Sequence, residues 1–139
     1  MVNSKSQEEE EEEEKVDEND QMHLPIIKVY HDSQGSITVV LTDSDFNSVP
    51  ESIRGQCKIE SIKHVAMFIY MEIMNRIDDG YRGKHLYIDR QSITKHTGSV
   101  PGLYSIIMNT SLWREIVSTL QFLRFLQVDR DGMMTLFQP

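Results

Sequence analysis

The most regular pattern in the chain is a stripe of apolar positions between Lys58 and Ile77, spaced by three and four residues. This spacing corresponds to one face of an α-helix, so it predicts a long helix over 58–77 with one side against a core. The stripe consists of Ile59, Ile62, Ala66, Ile69, Ile73 and Ile77. Phe68 and Met71 lie outside it, which indicates that a second layer of the chain, or a partner, covers the other side. Burial in the core is the favoured interpretation.

Segments rich in β-branched residues precede this helix. Ile26 to Tyr30 and Ser36 to Leu41 are separated by a turn-rich spacer that ends at Gly35, and this arrangement predicts a β-hairpin. Pro50 then suits the first position of a short helical turn that Gly55 ends. The sequence before the long helix therefore predicts a hairpin followed by a structured connector.

Three more elements are predicted after the long helix. A short strand is predicted at His85 to Ile88, and a short helix follows it, capped by Asp89 and ended by Gly98. Helical spacing returns between about Thr110 and Phe125. This second periodic stretch predicts the last main helix.

The end of the chain, from Leu126 to Phe137, carries an Asp-Gly turn signal between two strand-like pieces. This pattern predicts a terminal β-hairpin. The resulting order of helix, short strand, short helix, long helix and hairpin is typical of a winged helix. We therefore predict an α+β winged-helix variant with extra N-terminal elements and a C-terminal β-hairpin as its wing.

Charge is distributed unevenly along the 139 residues, whose formal net charge is −8. Residues 1–23 hold ten acidic residues, including the run Glu8 to Glu14, against two lysines, which leaves twelve acidic and twelve basic residues from Leu24 onward. A glutamate run repels itself and buries nothing, so residues 1–23 are predicted to be a disordered acidic linker or tail. Residues 24–139 are predicted to form one domain around one core.

The cysteine content and the hydropathy pattern indicate where the protein acts. The single cysteine, Cys57, excludes an internal disulfide framework and is typical of a reducing compartment. No apolar run approaches the roughly 18 residues of a membrane span, and the N-terminus lacks the order of a signal peptide. We therefore expect an intracellular protein without a membrane partner.

Patterns typical of catalysis or metal binding are missing from the sequence. The five histidines are scattered, with no pair at i, i+4 and no His or Cys cluster at metal spacing. The segment from Gly98 to Gly102 lacks the lysine and the preceding strand of a phosphate-binding loop. Cys57 and His64 stand about two helical turns apart, roughly 10 Å, which is too far for direct proton transfer. We predict a protein that is not an enzyme and needs no metal or cofactor.

One protein family shares the order and spacing of several segments. Residues 45–50 (DFNSVP), the triplet Ile53-Arg54-Gly55 and the isoleucine-striped helix resemble the C-terminal microtubule-binding domain of subunit one of the spindle and kinetochore associated (Ska) complex. The later matching positions are 83–88, Ile93, 120–126, Val128, Arg130 and Gly132. Together the resemblance covers about Thr38 to Phe137.

The resemblance implies a non-catalytic winged-helix domain that binds the microtubule lattice through dispersed basic residues. Family members belong to a kinetochore complex that couples chromosomes to spindle microtubules during chromosome segregation in mitosis. They assemble with the other two Ska subunits through an N-terminal coiled-coil segment, whereas this sequence has no sustained heptad. The chain is then expected to be a fragment that acts at the kinetochore and spindle, with the glutamate-rich stretch as a linker.

Binding to an acidic microtubule surface needs basic side chains that project to solvent, and it should weaken with salt. The first candidates, matched by position to the family, are Arg54 in its basic turn, Lys84 at the start of the short strand, Arg124 late in the last helix and Arg130 in the hairpin. The second candidates are Lys58, Lys63, Arg76 and Arg90. Gln56 and Phe125 replace residues that are commonly basic in the family, so the resemblance implies weaker binding or a rearranged surface.

Ser92 is a candidate phosphorylation site. It follows Arg90 at the Arg-x-Ser spacing that basophilic mitotic kinases favour. A phosphate there would weaken binding to an acidic lattice, because it adds negative charge beside candidate contacts. The alternative interpretation is a plain serine at the start of a helix.

Two other functions stay open at the level of sequence. A winged helix usually places a recognition helix in the DNA major groove, but the last helix offers only Arg114 and Arg124, and the domain lacks a basic excess. A protein-interaction module would instead use Phe68, Met71 and Trp113 as an apolar contact surface, although core packing explains these residues equally well. Salt sensitivity separates the cases, because charged contacts weaken at raised ionic strength.

Overall fold

The protein contains mixed helix and strand structure, and the computed structural model describes residues 26–80 and 86–137. In chain order the elements are β1 (Lys28–His31), β2 (Ile37–Val40), α1 (Asp43–Asn47), α2 (Glu51–Arg54), α3 (Ile59–Asp78), α4 (Arg90–Thr94), α5 (Leu103–Met108), α6 (Thr110–Phe122), β3 (Leu126–Val128) and β4 (Met134–Leu136). Within these ranges the strands form two antiparallel two-stranded sheets. The predicted α+β class is confirmed. The predicted acidic tail, residues 1–23, lies outside the described residues.

The N-terminal hairpin pairs β1 with β2 in antiparallel register, with Tyr30 opposite Thr38. Its turn is built by Asp32, whose Oδ1 accepts hydrogen bonds from the backbone N–H groups of Gln34 and Ser36, both at 2.9 Å. An aspartate side chain that bonds the backbone ahead of it in this way reverses the chain direction. The hairpin contacts α3 through β2. The predicted hairpin is confirmed.

Two short helices connect the hairpin to α3. Thr42 caps α1, because its hydroxyl oxygen accepts a hydrogen bond from the backbone N–H of Asp45 at 3.0 Å. Pro50 lies at the N-cap of α2, one position before the first helical position predicted for it. Proline fits there because that position requires no intrahelical N–H donor. Gly55 ends α2 as predicted, with a φ of +53° that glycine adopts without a steric penalty.

Helix α3 lies at the centre of the core. The four middle positions of the predicted stripe are buried, and its two end positions, Ile59 and Ile77, are half-buried. Phe68 is only 2% exposed, and its ring stacks on those of His64 and His96 with centroid distances of 6.3 and 5.7 Å. The helix contacts β2, α4 and α6. Core burial of Phe68 is therefore confirmed, so this residue does not belong to an apolar contact surface.

One backbone pairing joins the segment after α3 to the end of the chain. Ile88 and Met134 exchange two N–H···O hydrogen bonds of 2.7 Å and form an isolated antiparallel bridge. Within the described residues, this bridge represents the short strand predicted at 85–88, while His85 lies outside them. Asp89 then caps α4 as predicted, because its Oδ1 accepts from the backbone N–H of Ser92 at 2.9 Å.

Helix α5 is not predicted by the sequence pattern. Gly102 precedes it with a φ of +84°, and the helix buries Leu103 and Ile107. It contacts α4 and α6. Six residues cover less than two turns, which is too short for a helical period to be distinguished from chance. The interval between Pro101 and Thr110 is helical because this conformation buries two large apolar side chains.

Helix α6 ends at Phe122, three residues before its predicted end. Leu123 lies at the C-cap, and Arg124 follows it with a φ of +59°. The backbone N–H of Phe125 donates to the carbonyl of Leu120 at 3.0 Å, so the helix closes in a Schellman motif. The chain then continues into β3, which pairs with β4. The predicted terminal hairpin is confirmed.

We expect Gly55→Ala to lower the free energy of unfolding by about 2–3 kcal/mol. Gly55 combines its φ of +53° with a ψ of −124°, and a sparsely populated backbone conformation of this kind costs an L-residue roughly 1–3 kcal/mol. An added Cβ would also overlap the carboxylate of Glu115, which accepts a hydrogen bond from the backbone N–H of Gln56 at 2.9 Å. Urea denaturation of the full chain measures the loss. Gly35→Ala is the matched control, because its φ is +90° but no atom lies within 4 Å of the added Cβ. Equal losses for the two variants would contradict a role for the Glu115 contact.

Candidate functional site

The loop between α2 and α3 runs alongside α6. The backbone N–H of Gln56 donates to Oε1 of Glu115 at 2.9 Å, and Cys57 Sγ lies 3.8 Å from Thr119 Oγ1. Because Glu115 and Thr119 are separated by about one helical turn, the loop follows α6 toward its C-terminal end. The candidate basic residues on either side of this loop therefore lie along α6.

Arg54 begins this loop, and the protein orients its side chain. Its Nε donates to the carbonyl oxygen of Val49 at 3.0 Å, and its guanidinium carbon lies 5.4 Å from the centre of the Phe46 ring. A cation–π contact of this kind contributes about 0.5–1 kcal/mol at an exposed site. Arg54 is half-buried. Its guanidinium is therefore held in one direction at the surface.

Arg124 lies in the turn that ends α6. Its φ of +59° is the only left-handed value among the non-glycine residues that the structure describes. A shallow groove of about 480 Å³ adjoins it, and we name it the Arg124 groove. The groove is lined by Gln121, Phe122, Arg124 and Phe137. Left-handed backbone costs a non-glycine residue roughly 1–2 kcal/mol, and strain of this type is concentrated at functional sites.

The other candidates lie in different parts of the fold. Lys58 is exposed at the N-cap of α3, and Arg130 is exposed in the turn between β3 and β4. Lys63 is half-buried on α3. Lys84 lies outside the described residues. We name the residues that lie beside α6 the α6 basic flank: Arg54, Lys58 and Arg124.

Arg76 belongs to a charged cluster around Glu72, a residue on α3 that is only 3% exposed. The Glu72 carboxylate lies 3.5 Å from Arg76 Nε, 3.0 Å from Lys95 Nζ and 2.8 Å from His96 Nε2. Burial alone would raise the pKa of Glu72, but the hydrogen bonds with His96 and Lys95 outweigh burial and lower the pKa. The cluster fixes α3 to the residues that follow α4.

Two further candidate arginines, in addition to Arg54, make hydrogen bonds within the protein. Arg76 donates from Nη1 to the carbonyl oxygen of Tyr87 at 3.0 Å and from Nη2 to Ser92 Oγ at 3.1 Å. Arg90 donates from Nη1 to the carbonyl oxygen of Ile107 at 3.5 Å. Both side chains are half-buried. The structure therefore places Arg76 and Arg90 at the junctions of helices, away from the α6 basic flank.

Ser92, the candidate phosphorylation site, has a structural role in α4. Its backbone N–H and its hydroxyl both donate to Asp89 Oδ1, at 2.9 and 2.7 Å, and its oxygen accepts from Arg76. The hydrogen bonds from the Ser92 side chain and backbone lower the pKa of Asp89. A phosphate on Ser92 would place negative charge beside both the Asp89 carboxylate and the Arg76 guanidinium.

The Glu72 cluster is absent from the sequence-based candidates, although one signal for it is present. Glu72 stands between Ile69 and Ile73 of the apolar stripe, and Arg76 follows four residues later at ion-pair spacing. A carboxylate next to a buried stripe requires a partner. His96 lies too far along the chain for spacing to connect it with Glu72.

Several kinds of site are not found in the part of the chain that the structure describes. No group of three or more His, Cys, Asp or Glu residues there is arranged to hold a metal ion, and none of its helices has the length and apolarity to cross a membrane. Cys57 is buried, and burial raises the pKa of its thiol. Comparisons of the chain with protein-family models, with curated proteins and with solved structures gave no match.

We expect acid to destabilise the fold through Glu72. Because its pKa is lowered in the folded state, ionised Glu72 stabilises the fold above its ordinary pKa of about 4.5. That contribution is lost as pH falls through the lowered folded-state value. Glu72→Gln removes the titration and breaks a buried charged cluster, so it should cost about 3 kcal/mol at pH 7 and reduce the acid-dependent loss.

Urea denaturation between pH 7 and pH 3 measures both effects of Glu72→Gln. Glu60→Gln is the control, because Glu60 is exposed on the same helix. This control should change the stability by no more than about 0.5 kcal/mol. A Glu72→Gln profile that runs parallel to that of the parent would contradict the assignment.

We expect Ser92→Asp to destabilise the protein by about 1–3 kcal/mol, because a second carboxylate would face Asp89 and the serine hydrogen bond would be lost. Ser92→Ala loses only the hydroxyl contacts and should cost about 1 kcal/mol. Thermal unfolding at pH 7 separates the two variants. The phosphorylation hypothesis, which rests on the microtubule binding that the resemblance implies, also expects Ser92→Asp to bind microtubules more weakly than Ser92→Ala under conditions where both are folded. Binding equal to that of the parent would contradict the phosphorylation hypothesis.

Proposed function

We propose that this chain is a winged-helix variant that binds microtubules. In this proposal it is the non-catalytic microtubule-binding domain of a kinetochore complex that couples chromosomes to spindle microtubules. The chain order of α3, Ile88, α4 with α5, α6 and the β3–β4 hairpin supports the winged-helix assignment. The bridge between Ile88 and Met134 also supports it, because it connects the strand position after α3 to the proposed wing. The resemblance to subunit one of the Ska complex points in the same direction.

The conformation of Arg124 is the observation that carries the proposal. Arg124 occupies the position after the C-cap of a Schellman motif, where glycine is the usual residue. Glycine there would avoid the roughly 1–2 kcal/mol that a left-handed conformation costs arginine. A residue that is costly for folding and carries a positive charge beside an open groove supports a role in binding.

The α6 basic flank supplies the proposed charged surface. Arg54 and Lys58 border the loop beside α6, and Arg124 lies at the C-terminal end of the same helix. Each exposed ion pair contributes only about 0–1 kcal/mol, but an acidic polymer surface allows several weak contacts to form together. Arg130 extends the proposed surface to the hairpin, and Lys84 joins it by resemblance. Arg76 and Arg90 are left out because their hydrogen bonds join one helix to another, α3 to α4 and α4 to α5. Arg54 bonds only Val49 within its own connector.

A protein-interaction module is the second candidate function. A groove of about 340 Å³ lies between α6 and the β3–β4 hairpin. Its apolar lining residues are Trp113, Val117, Val128 and Met134. Tryptophan often anchors protein interfaces, and Trp113 is half-buried here. Nucleic-acid binding has less support, because residues 24–139 hold twelve acidic and twelve basic residues.

We expect the full chain to co-sediment with taxane-stabilised microtubules at low salt and to be released as salt rises, because the proposed contacts are charged. Arg124→Gly should weaken binding about three- to tenfold through the loss of one cation. The same substitution should leave the denaturant midpoint unchanged or raise it, because glycine relieves the left-handed strain. If Arg124→Gly binds more weakly while its denaturant midpoint is unchanged or raised, the weaker binding does not result from unfolding.

Matched variants complete this test. Arg124→Lys preserves the charge and should bind within about twofold of the parent. Arg90→Gln removes a charge at the junction of α4 and α5, outside the flank, and under conditions where it is folded we expect it to bind as the parent does. If the parent pellets to the same extent at low and high salt, the result favours the protein-interaction module. Failure of the parent to pellet at any salt concentration would overturn the microtubule proposal.

A further inference from the structure

The N-terminal segment joins the described part of the chain beside the Arg124 groove. The backbone N–H of Ile26 donates to the carbonyl oxygen of Leu123 at 3.0 Å, and the side chain of Ile27 is only 2% exposed. Leu123 is the residue before Arg124. These contacts fix the position of Ile26, the first residue that the structure describes, and Ile26 is adjacent to the left-handed arginine.

The surface at this point is both basic and apolar. Arg124 and the aromatic side chains of Phe122 and Phe137 line the groove, and Phe122 is 39% exposed. Lys28, two residues after Ile26, is also exposed. An exposed aromatic side chain next to cations is suited to an acidic peptide, because glutamate carboxylates can pair with the cations while their methylene groups cover the ring.

The segment that is attached there has the complementary charge. Glu8 to Glu14 are seven consecutive glutamates, and the nearest of them, Glu14, lies twelve positions before Ile26. Twelve residues of extended chain reach at most about 40 Å, which exceeds the length of about 30 Å of a 20-residue helix such as α3. The glutamates are therefore able to reach the groove. Attachment through a linker of this length gives an effective concentration on the order of millimolar, so a weak contact can still be populated.

We propose that Glu8 to Glu14 dock on the Arg124 groove of the same chain and compete there with an acidic partner. The docking contact itself depends only on the two surfaces. Its regulatory consequence rests on the microtubule-binding function proposed above. An acidic partner must then displace the glutamates before it reaches Arg124, so the segment lowers the affinity of the free protein. It also makes that affinity less dependent on salt, because salt weakens the competing internal contact as well.

The first experiment tests docking without microtubules. Amide NMR spectra of the full chain are compared with those of a variant in which Glu8 to Glu14 are all changed to Gln. The amide signals of the groove residues Gln121, Phe122, Arg124 and Phe137 should shift between the two proteins. Raised salt should move the parent signals toward those of the variant, because it screens the contact. Unchanged signals at these four positions at low salt would overturn the proposal.

Two arginine variants locate the docking site. In an Arg124→Gln background, the seven Glu→Gln changes should no longer shift the groove signals. In an Arg114→Gln background they should shift them as in the parent, because Arg114 lies ten residues earlier on α6, about 15 Å away along the axis. If the seven changes shift the groove signals in both backgrounds, or in neither of them, docking at Arg124 is contradicted.

The second experiment measures the consequence for an acidic partner. In co-sedimentation at low salt, the seven-Gln variant should bind microtubules about threefold more tightly than the parent, and the difference should disappear in the Arg124→Gln background. A difference that persists in that background would indicate general repulsion by the segment and would overturn competition at Arg124. If the NMR shifts occur and neither protein pellets, docking stands and the microtubule function fails.

Discussion

Burial of helix α3 is the constraint on which the other described elements depend. The helix contacts β2, α4 and α6, and each of its fully buried isoleucines contributes about 1.5–3 kcal/mol. Glu72 is buried on the same helix, and a buried carboxylate is costly unless it is paired. Lys95 and His96 supply those pairs. Apolar packing therefore sets the position of α3, and one acidic side chain then determines how the residues after α4 must approach it.

The basic residues fall into two groups. One group makes contacts between helices, and the other lies beside α6. Arg76 and Lys95 contact Glu72, and Arg90 donates a hydrogen bond to the carbonyl of Ile107. These basic side chains therefore stabilise contacts between helices. The α6 basic flank lies along a different helix, where Arg124 occupies a glycine-type position. Glycine at that position would make the fold more stable because it would remove the backbone strain, but it would also remove the positive charge. This conflict makes Arg124 the most informative residue for separating folding from binding.

Acidic residues are concentrated at one end of the chain. The net charge of −8 arises from the segment before Leu24, whereas the rest of the chain is balanced. The hydrogen bond from Ile26 to Leu123 places Ile26, the first described residue, beside the end of α6. In the two proposals, screening by salt weakens both the internal contact and the external one, so its two effects on partner binding oppose each other.

The sequence by itself determined α3, both hairpins and the cap at Asp89, because each depends on side chains within a few positions of one another. The resemblance to the Ska family also made Arg54, Arg124 and Arg130 candidate binding residues, by the positions that they occupy. Only the tertiary structure decided that α5 is a helix, that Arg124 is left-handed and that Arg76 serves the Glu72 cluster. These features depend on burial and on partners distant along the chain, such as His96 for Glu72. Local spacing carries no information about such contacts, because packing of whole elements creates them.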